Sequence, residues 1–276
     1  MRLADAHMHL FRQGYHRPGL PSLFGEGELQ AYDALRLTHD IELALAIGYE
    51  AEGIDPGNNA YLRQLSRTRS WLRTLAFLEP TTVPEPAVIE ALLEDGHAGL
   101  AIYALDRPQA EALLRWPRHC WQALQSRKAV MSFNTRPDAI KAFGPLIAEW
   151  AGVQFLFSHL GLPGVIPAAT SPDTVRDRLQ PLLSLARLPN VHVKISGLYA
   201  MSEPQHAFPH SSAEGVIRRV LEAFGPERCM WASDFAPALE FVSFPQTIEW
   251  AGRNELSETE QRLVFHDNLV RLLSAL

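Results

Sequence analysis

Cysteine is scarce in this chain. Cys120 and Cys229 are the only two among 276 residues, and neither sits in a CxxC pair. Neither a disulfide framework nor a thiolate zinc knuckle is therefore indicated. Basic charge is also lacking: 25 Lys and Arg against 31 Asp and Glu leave a net charge of −6. That balance argues against a surface that tracks a phosphate backbone. No apolar run is long enough to span a bilayer, and the first residues lack the layout of a signal peptide. The expected location is cytoplasmic, with no nucleic-acid and no membrane partner. No GxGxxG follows the first apolar run, so the main mark of an open dinucleotide-binding sheet is missing. Repeats, low-complexity tracts and linkers are absent too, and residues 1–276 are expected to form one domain.

What the chain does have is alternation. Eight short apolar runs lie at 3–9, 42–49, 73–79, 99–105, 129–135, 153–159, 191–197 and 229–235. Near-continuous apolar character is expected of strands buried on both faces. Amphipathic stretches separate them, such as PEPAVIEALLEDG, which prolines open and Gly96 closes, as helix-end preferences require. The stretch SETEQRLVFHDNLVRLLSAL supplies a last helix with an acidic first turn. Eight βα alternations in this length predict an α/β protein, a (β/α)8 TIM barrel. In such barrels the loops after the strands build the active site. Two of these are long. Residues 10–27 carry Arg12, Tyr15, His16, Arg17 and Phe24, and the loop after strand seven carries Tyr199, His206 and His210.

The strand ends hold the polar chemistry. Strand one offers His7 and His9, which side-chain alternation points the same way. Strands three and five offer Glu79 and Asn134, strand six His159, strand seven Lys194 and Ser196, and strand eight Asp234. His7, His9, His159 and Asp234 form a nitrogen-rich set with one carboxylate. Such a set suits one divalent metal ion, zinc first, with a position left for water. Asp234 is then placed to accept a proton from that water and later return it. Each piece alone has a plainer reading: a chance His-x-His, a satisfied histidine at a strand end, an aspartate capping the next helix. Lys194 resists the plain reading, because a buried unpaired ammonium is expensive. It must reach a carboxylate or await an anionic substrate. Asp234, His159 and Lys194 are the expected catalytic residues, Lys194 by binding the carbonyl oxygen or a substrate carboxylate. Arg12, Arg17 and Arg136 are candidate carboxylate anchors, and His16, Asn134 and Tyr199 are candidate substrate contacts. His97 and His192 fall near strand beginnings and read as structural. His39, His119 and His266 read as solvated.

The segments DAHMH, SHLGLPG, NVHVKISGL and FGPERCMWASDFAP, in that order, resemble the amidohydrolase superfamily, specifically its "amidohydrolase 2" branch. The likeness covers nearly the whole chain. It implies a (β/α)8 barrel in which His7, His9, His159 and Asp234 are metal or substrate ligands, with Asp234 also the proton carrier. Members of this branch include sugar-acid lactonases, a pyrone-dicarboxylate lactonase and aromatic or semialdehyde decarboxylases, and VKISGL looks most like the lactonase side. Strand four, GLAIYAL, has no lysine or glutamate to bridge two metals, and Ala101 stands where many relatives carry an arginine. The resemblance therefore implies a mononuclear centre, and some lactonases of the branch are thought to work without metal. The expected function is hydrolysis of a lactone or related cyclic ester of a small anionic molecule. Decarboxylation on the same scaffold and an idle binding barrel are the alternatives. The expected partners are that small-molecule substrate, with a homodimer allowed.

Overall fold

In the computed structural model, which describes residues 1–50, 54–167, 169–250 and 252–275, eight parallel strands follow one another in chain order around a single sheet. They are β1 (Leu3–Met8), β2 (Ile41–Ile47), β3 (Leu72–Phe77), β4 (Gly99–Ala104), β5 (Val130–Thr135), β6 (Gln154–Phe157), β7 (Val191–Ile195) and β8 (Cys229–Trp231). Every expected strand forms, all but β5 ending before the expected last residue, with β2 and β3 starting one residue earlier than expected. The fold is a nearly closed TIM barrel with helices between the strands. No described helix is long and apolar enough to cross a membrane.

The helices start where the sequence allows. Proline opens α1 (Pro86–Glu94) and α2 (Pro137–Glu149), positions where its missing N–H costs nothing. Ser257 and Glu260 form a capping box at α3 (Glu258–Arg262). The expected last helix is not continuous: a wide π-turn, Leu263–Asp267, separates α3 from α4 (Asn268–Ser274). The turn seats Phe265 against Trp231 and Trp250. His266 is not solvated either, being held between Glu42 and Asp267.

Side-chain alternation sorts two apolar layers. Ala4, Leu45, Leu75, Ala101, Val130, Leu156 and Met230 fill the barrel interior, while the intervening residues meet the helices. His97 and His192 lie buried near the strand beginnings, bonded to Thr74 and Gln154. As expected, they are part of the scaffold.

Two departures from regularity build the site. First, three residue steps of β1 span two of β2, because Asp5 faces Ala44 and Met8 faces Ala46. This is a β-bulge, which re-aims side chains. Ala4 and Ala6 belong to the inner layer, so strict alternation would send His7 outward; the bulge turns it in. Second, no ladder joins β1 to β8. Instead the segment beyond β8 closes the barrel, with the Asp234 N–H donating to His7 O at 2.9 Å and the His9 N–H donating to Phe235 O. Asp5 rivets the seam: its carboxylate accepts from the Ser233 N–H at 2.9 Å, the Ser233 hydroxyl and the Tyr32 hydroxyl at 3.0 Å. The seam thereby carries Asp234 against the paired histidines.

Candidate metal centre

Four side chains that are distant in the chain converge at the upper end of the barrel. His7 Nε2 and His9 Nε2 are 3.0 Å apart. Asp234 Oδ1 lies 3.6 Å from His7 Nε2 and 3.9 Å from both His9 Nε2 and His159 Nε2. All four residues are buried. Ligand bonds of roughly 2.0–2.1 Å in a tetrahedral shell put neighbouring donor atoms about 3.3 Å apart. The spacings among His7, His9 and Asp234 bracket that value, so these three fit one divalent ion, while His159 Nε2 faces the same Asp234 oxygen from outside that trio. His7, His9 and Asp234 alone present three ligand atoms within 4.8 Å of one another.

The protonation states fit as well. Burial holds His9 down to about 4, His159 down to about 3 and His7 well below the usual histidine range. Neutral imidazoles are ligand-competent. His9 Nδ1 donates to Ile47 O at 2.9 Å, which leaves the Nε2 lone pair facing the centre. His159 Nδ1 meets Ser196 Oγ at 2.9 Å, and His7 Nδ1 meets Ser158 Oγ at 3.1 Å. The Tyr199 hydroxyl donates to Asp234 Oδ2 at 2.8 Å, so Oδ1 is the oxygen turned to the imidazoles. Burial pushes the Asp234 carboxyl up to about 6, near the range where a group both takes and returns a proton.

Backbone strain is concentrated here. His159 and Asp234 both adopt left-handed conformations, φ 52° and 56°, which cost a non-glycine residue free energy and cluster at functional sites. Gly197 is required beside them. Its φ is +63°, and a Cβ there would come within 2.6 Å of His159 Nδ1, so only glycine lets that ring lie on the backbone.

Several expectations are corrected. Asp234 caps no helix; the following 3-10 turn starts from Ala236. Lys194 meets neither a carboxylate nor the mouth. It has no exposed surface, donates to Ser132 Oγ at 2.7 Å and lies 3.3 Å from His7 Nδ1, so it props His7 from below. Burial brings its pKa down to about 7, which lessens the cost of an unpaired ammonium. Glu79 turns outward to Thr81. Arg17 is paired with Glu240 at 2.6 Å, Arg12 lies over the Tyr61 ring at 4.9 Å, and His16 bonds the loop carbonyl of Gly14. Arg136 is exposed, with no ion pair among the described residues. Of the three candidate arginines, Arg136 alone is thus without an ion pair or a ring contact among the described residues. His206 is exposed, and His210 is buried against Ser202.

The opposite wall of the mouth differs. Asn134 and Tyr103 sit side by side on β5 and β4, one layer above Ser132 and Ala101. The Tyr103 hydroxyl and Asn134 Oδ1 are buried without a partner among the described residues. Such groups cost about 1–3 kcal/mol each. Tyr103, Asp5, Ser158 and Gly197 escaped the sequence reading. Alternation from Ala101 could have found Tyr103; the bulge and the seam left no signal for the others.

A family model described as "Amidohydrolase" matches residues 4–274. No curated protein matches the chain. Among solved structures, an amidohydrolase from Burkholderia multivorans with bound zinc is 19% identical, with 99% of each chain covered and a TM-score of 0.76. A protein described as a probable 2-pyrone-4,6-dicarboxylic acid hydrolase from Acinetobacter baumannii is 16% identical over 99% of this chain and 100% of that one, TM-score 0.74. A 5-carboxyvanillate decarboxylase from Sphingomonas paucimobilis is 15% identical over 99% of each, TM-score 0.62. At such identities the likeness shows the shared barrel and nothing finer.

Proposed function

The chain belongs to the amidohydrolase family, and from that premise we propose that it is a hydrolase that opens a lactone or related cyclic ester. The observation that carries this reading is the pairing of three neutral imidazoles with a single carboxylate whose other oxygen is committed to Tyr199. His7, His9, His159 and Asp234 would hold one divalent ion, with zinc expected; the zinc-bound Burkholderia structure supports that choice. Such an ion supplies Lewis acidity and lowers the pKa of water. Asp234 Oδ1 accepts the proton as the water oxygen attacks the ester carbonyl carbon. The ring C–O bond then breaks, and Asp234 returns the proton to the departing ring oxygen. Ser196 on His159 Nδ1, and Ser158 and Lys194 on His7 Nδ1, keep the Nε2 atoms of both rings directed at the centre.

On the decarboxylase alternative a cation would anchor the substrate carboxylate; of the candidate arginines, Arg17 is paired with Glu240 and Arg12 lies over Tyr61, which leaves Arg136 for that role. The test is product analysis on a lactone and aromatic-acid panel, with elemental analysis of the purified protein before and after chelation. Ring opening without gas, near one zinc per chain and loss of turnover on chelation are expected. Release of carbon dioxide would overturn the hydrolase reading, and full activity in metal-free protein would overturn the metal role.

A further inference from the structure

The wall facing the centre carries two polar atoms that no described residue bonds. Tyr103 and Asn134 are register partners on adjacent parallel strands. Both project to the inner face, since Ser132, two residues before Asn134, bonds Lys194 inside the barrel and Ala101, two residues before Tyr103, lies in the inner layer. The Tyr103 hydroxyl is a donor and acceptor, and Asn134 Oδ1 is an acceptor. Neither bonds the other nor any described residue. Native proteins rarely leave buried polar atoms unpaired without a functional reason or a missing partner. Tyr103 is also within electrostatic reach of the centre, because the Asp234 charge helps burial to push its hydroxyl pKa well up.

The apolar surroundings restrict what that partner is. Tyr49 and Phe77 close on the Tyr103 ring at 4.6 Å and 5.9 Å between centroids, and lie 5.5 Å from each other. Three aromatic faces on β4 and the ends of β2 and β3 make a wall for a ring, not for a charged group. The Asn134 amide N–H groups and the Tyr103 hydroxyl could both donate to a carboxylate, so it is the apolar rings that tell against one. An O–H satisfies both unbonded atoms, accepting from Tyr103 and donating to Asn134 Oδ1.

We propose that Tyr103 and Asn134 form the specificity subsite for a hydroxyl on a neutral ring substrate, with that ring seated on Tyr49, Phe77 and Tyr103. This rests on the hydrolytic reading for its chemistry but not for its recognition, and it replaces the expectation of an anionic substrate. A site built to bond a hydroxyl rejects the analogue lacking it far more strongly than an apolar pocket rejects a missing methylene.

The experiment has two arms. In the first, kcat/KM is measured for glucono-1,5-lactone and for δ-valerolactone, which has the same ring without hydroxyls. The wild type is expected to favour the hydroxylated ring at least 100-fold, and Y103F and N134A each to reduce that ratio at least tenfold. An unchanged ratio in both variants overturns the subsite. In the second, binding is followed by NMR titration, without turnover, for 1,5-anhydroglucitol against tetrahydropyran and for phenol against benzene. These pairs separate a saturated from an aromatic ring. At least one hydroxylated member is expected to bind more than tenfold tighter than its partner, and Y103F to erase the difference. No preference in either pair, or tighter binding of benzoate than of phenol, overturns the proposal. If no lactone is opened while the binding preference holds, the hydrolytic reading fails and the subsite stands. Y103F deletes an unpaired hydroxyl, so its melting temperature should not fall. A lowered one would mean that the hydroxyl has a structural partner, which overturns the proposal.

Discussion

The two sides of the barrel mouth satisfy their polar atoms in opposite ways. On the side of β1, β6, β7 and β8, each ligand-bearing side chain is fixed by a partner: His9 by Ile47 O, His159 by Ser196, His7 by Ser158 and Lys194, Asp234 by Tyr199. On the side of β2 to β5, aromatic rings pack at tilted angles, while Tyr103 and Asn134 each keep an atom that no described residue bonds. The lesson is one of preorganisation. Groups that act on charge developing in a transition state gain from being held beforehand. Groups that recognise a substrate are free to be completed by it.

The comparison can be broken most directly at Asp234. D234N keeps the shape and the Tyr199 contact but removes the proton acceptor, and kcat should fall about 10²–10⁴-fold with the fold intact. Wild-type rates in D234N would end its role. Next in size is G197A, which strains a left-handed backbone and drives a methyl into the His159 ring. A misplacement of about 1 Å costs about 100-fold in rate, and bound metal should fall with it. Retention of both would show that His159 is not held by that close approach. D5A tests the seam: it strips partners from the Ser233 N–H and hydroxyl and from Tyr32. A stability loss of about 3 kcal/mol is expected in denaturant titration, and an unchanged midpoint would show that the seam closes without it.

The smallest effect concerns the roof over the fixed side. Glu28 accepts the Phe11 N–H at 2.7 Å and the Tyr15 N–H, tying down the loop that follows His9. Burial pushes its carboxyl from 4.5 up to about 7. Between those values the folded state holds a proton that the unfolded chain has lost. Stability from this group is therefore complete below about pH 4.5 and declines as pH rises to about 7, by about 1.4 kcal/mol per unit at most. E28Q should flatten that slope in unfolding curves taken across the range. An unaltered slope would place the titration elsewhere.

Much of this was legible in the residues. The eight apolar runs specify strands, because a strand buried on both faces has no polar period to lose, and Pro86, Pro137 and Ser257 mark helix starts through backbone geometry alone. His7, His9, His159 and Asp234 were visible as strand-end polar residues. What stayed hidden was longer in range. Lys194 reads as a cation in search of an anion, yet Ser132 and His7 receive it instead, and no local pattern encodes those partners.

By itself, then, the sequence determined the alternation of elements, the barrel and the identity of the residues at its upper rim, since periodicity and end-capping act over a few residues. Only the tertiary structure decided which way those residues face and what they touch. The bulge in β1 reverses the inside–outside parity, the seam beyond β8 brings Asp234 to the imidazoles, and the β4–β5 register sets Tyr103 beside Asn134. Each depends on backbone contacts between segments far apart in the chain, where side-chain periodicity carries no information.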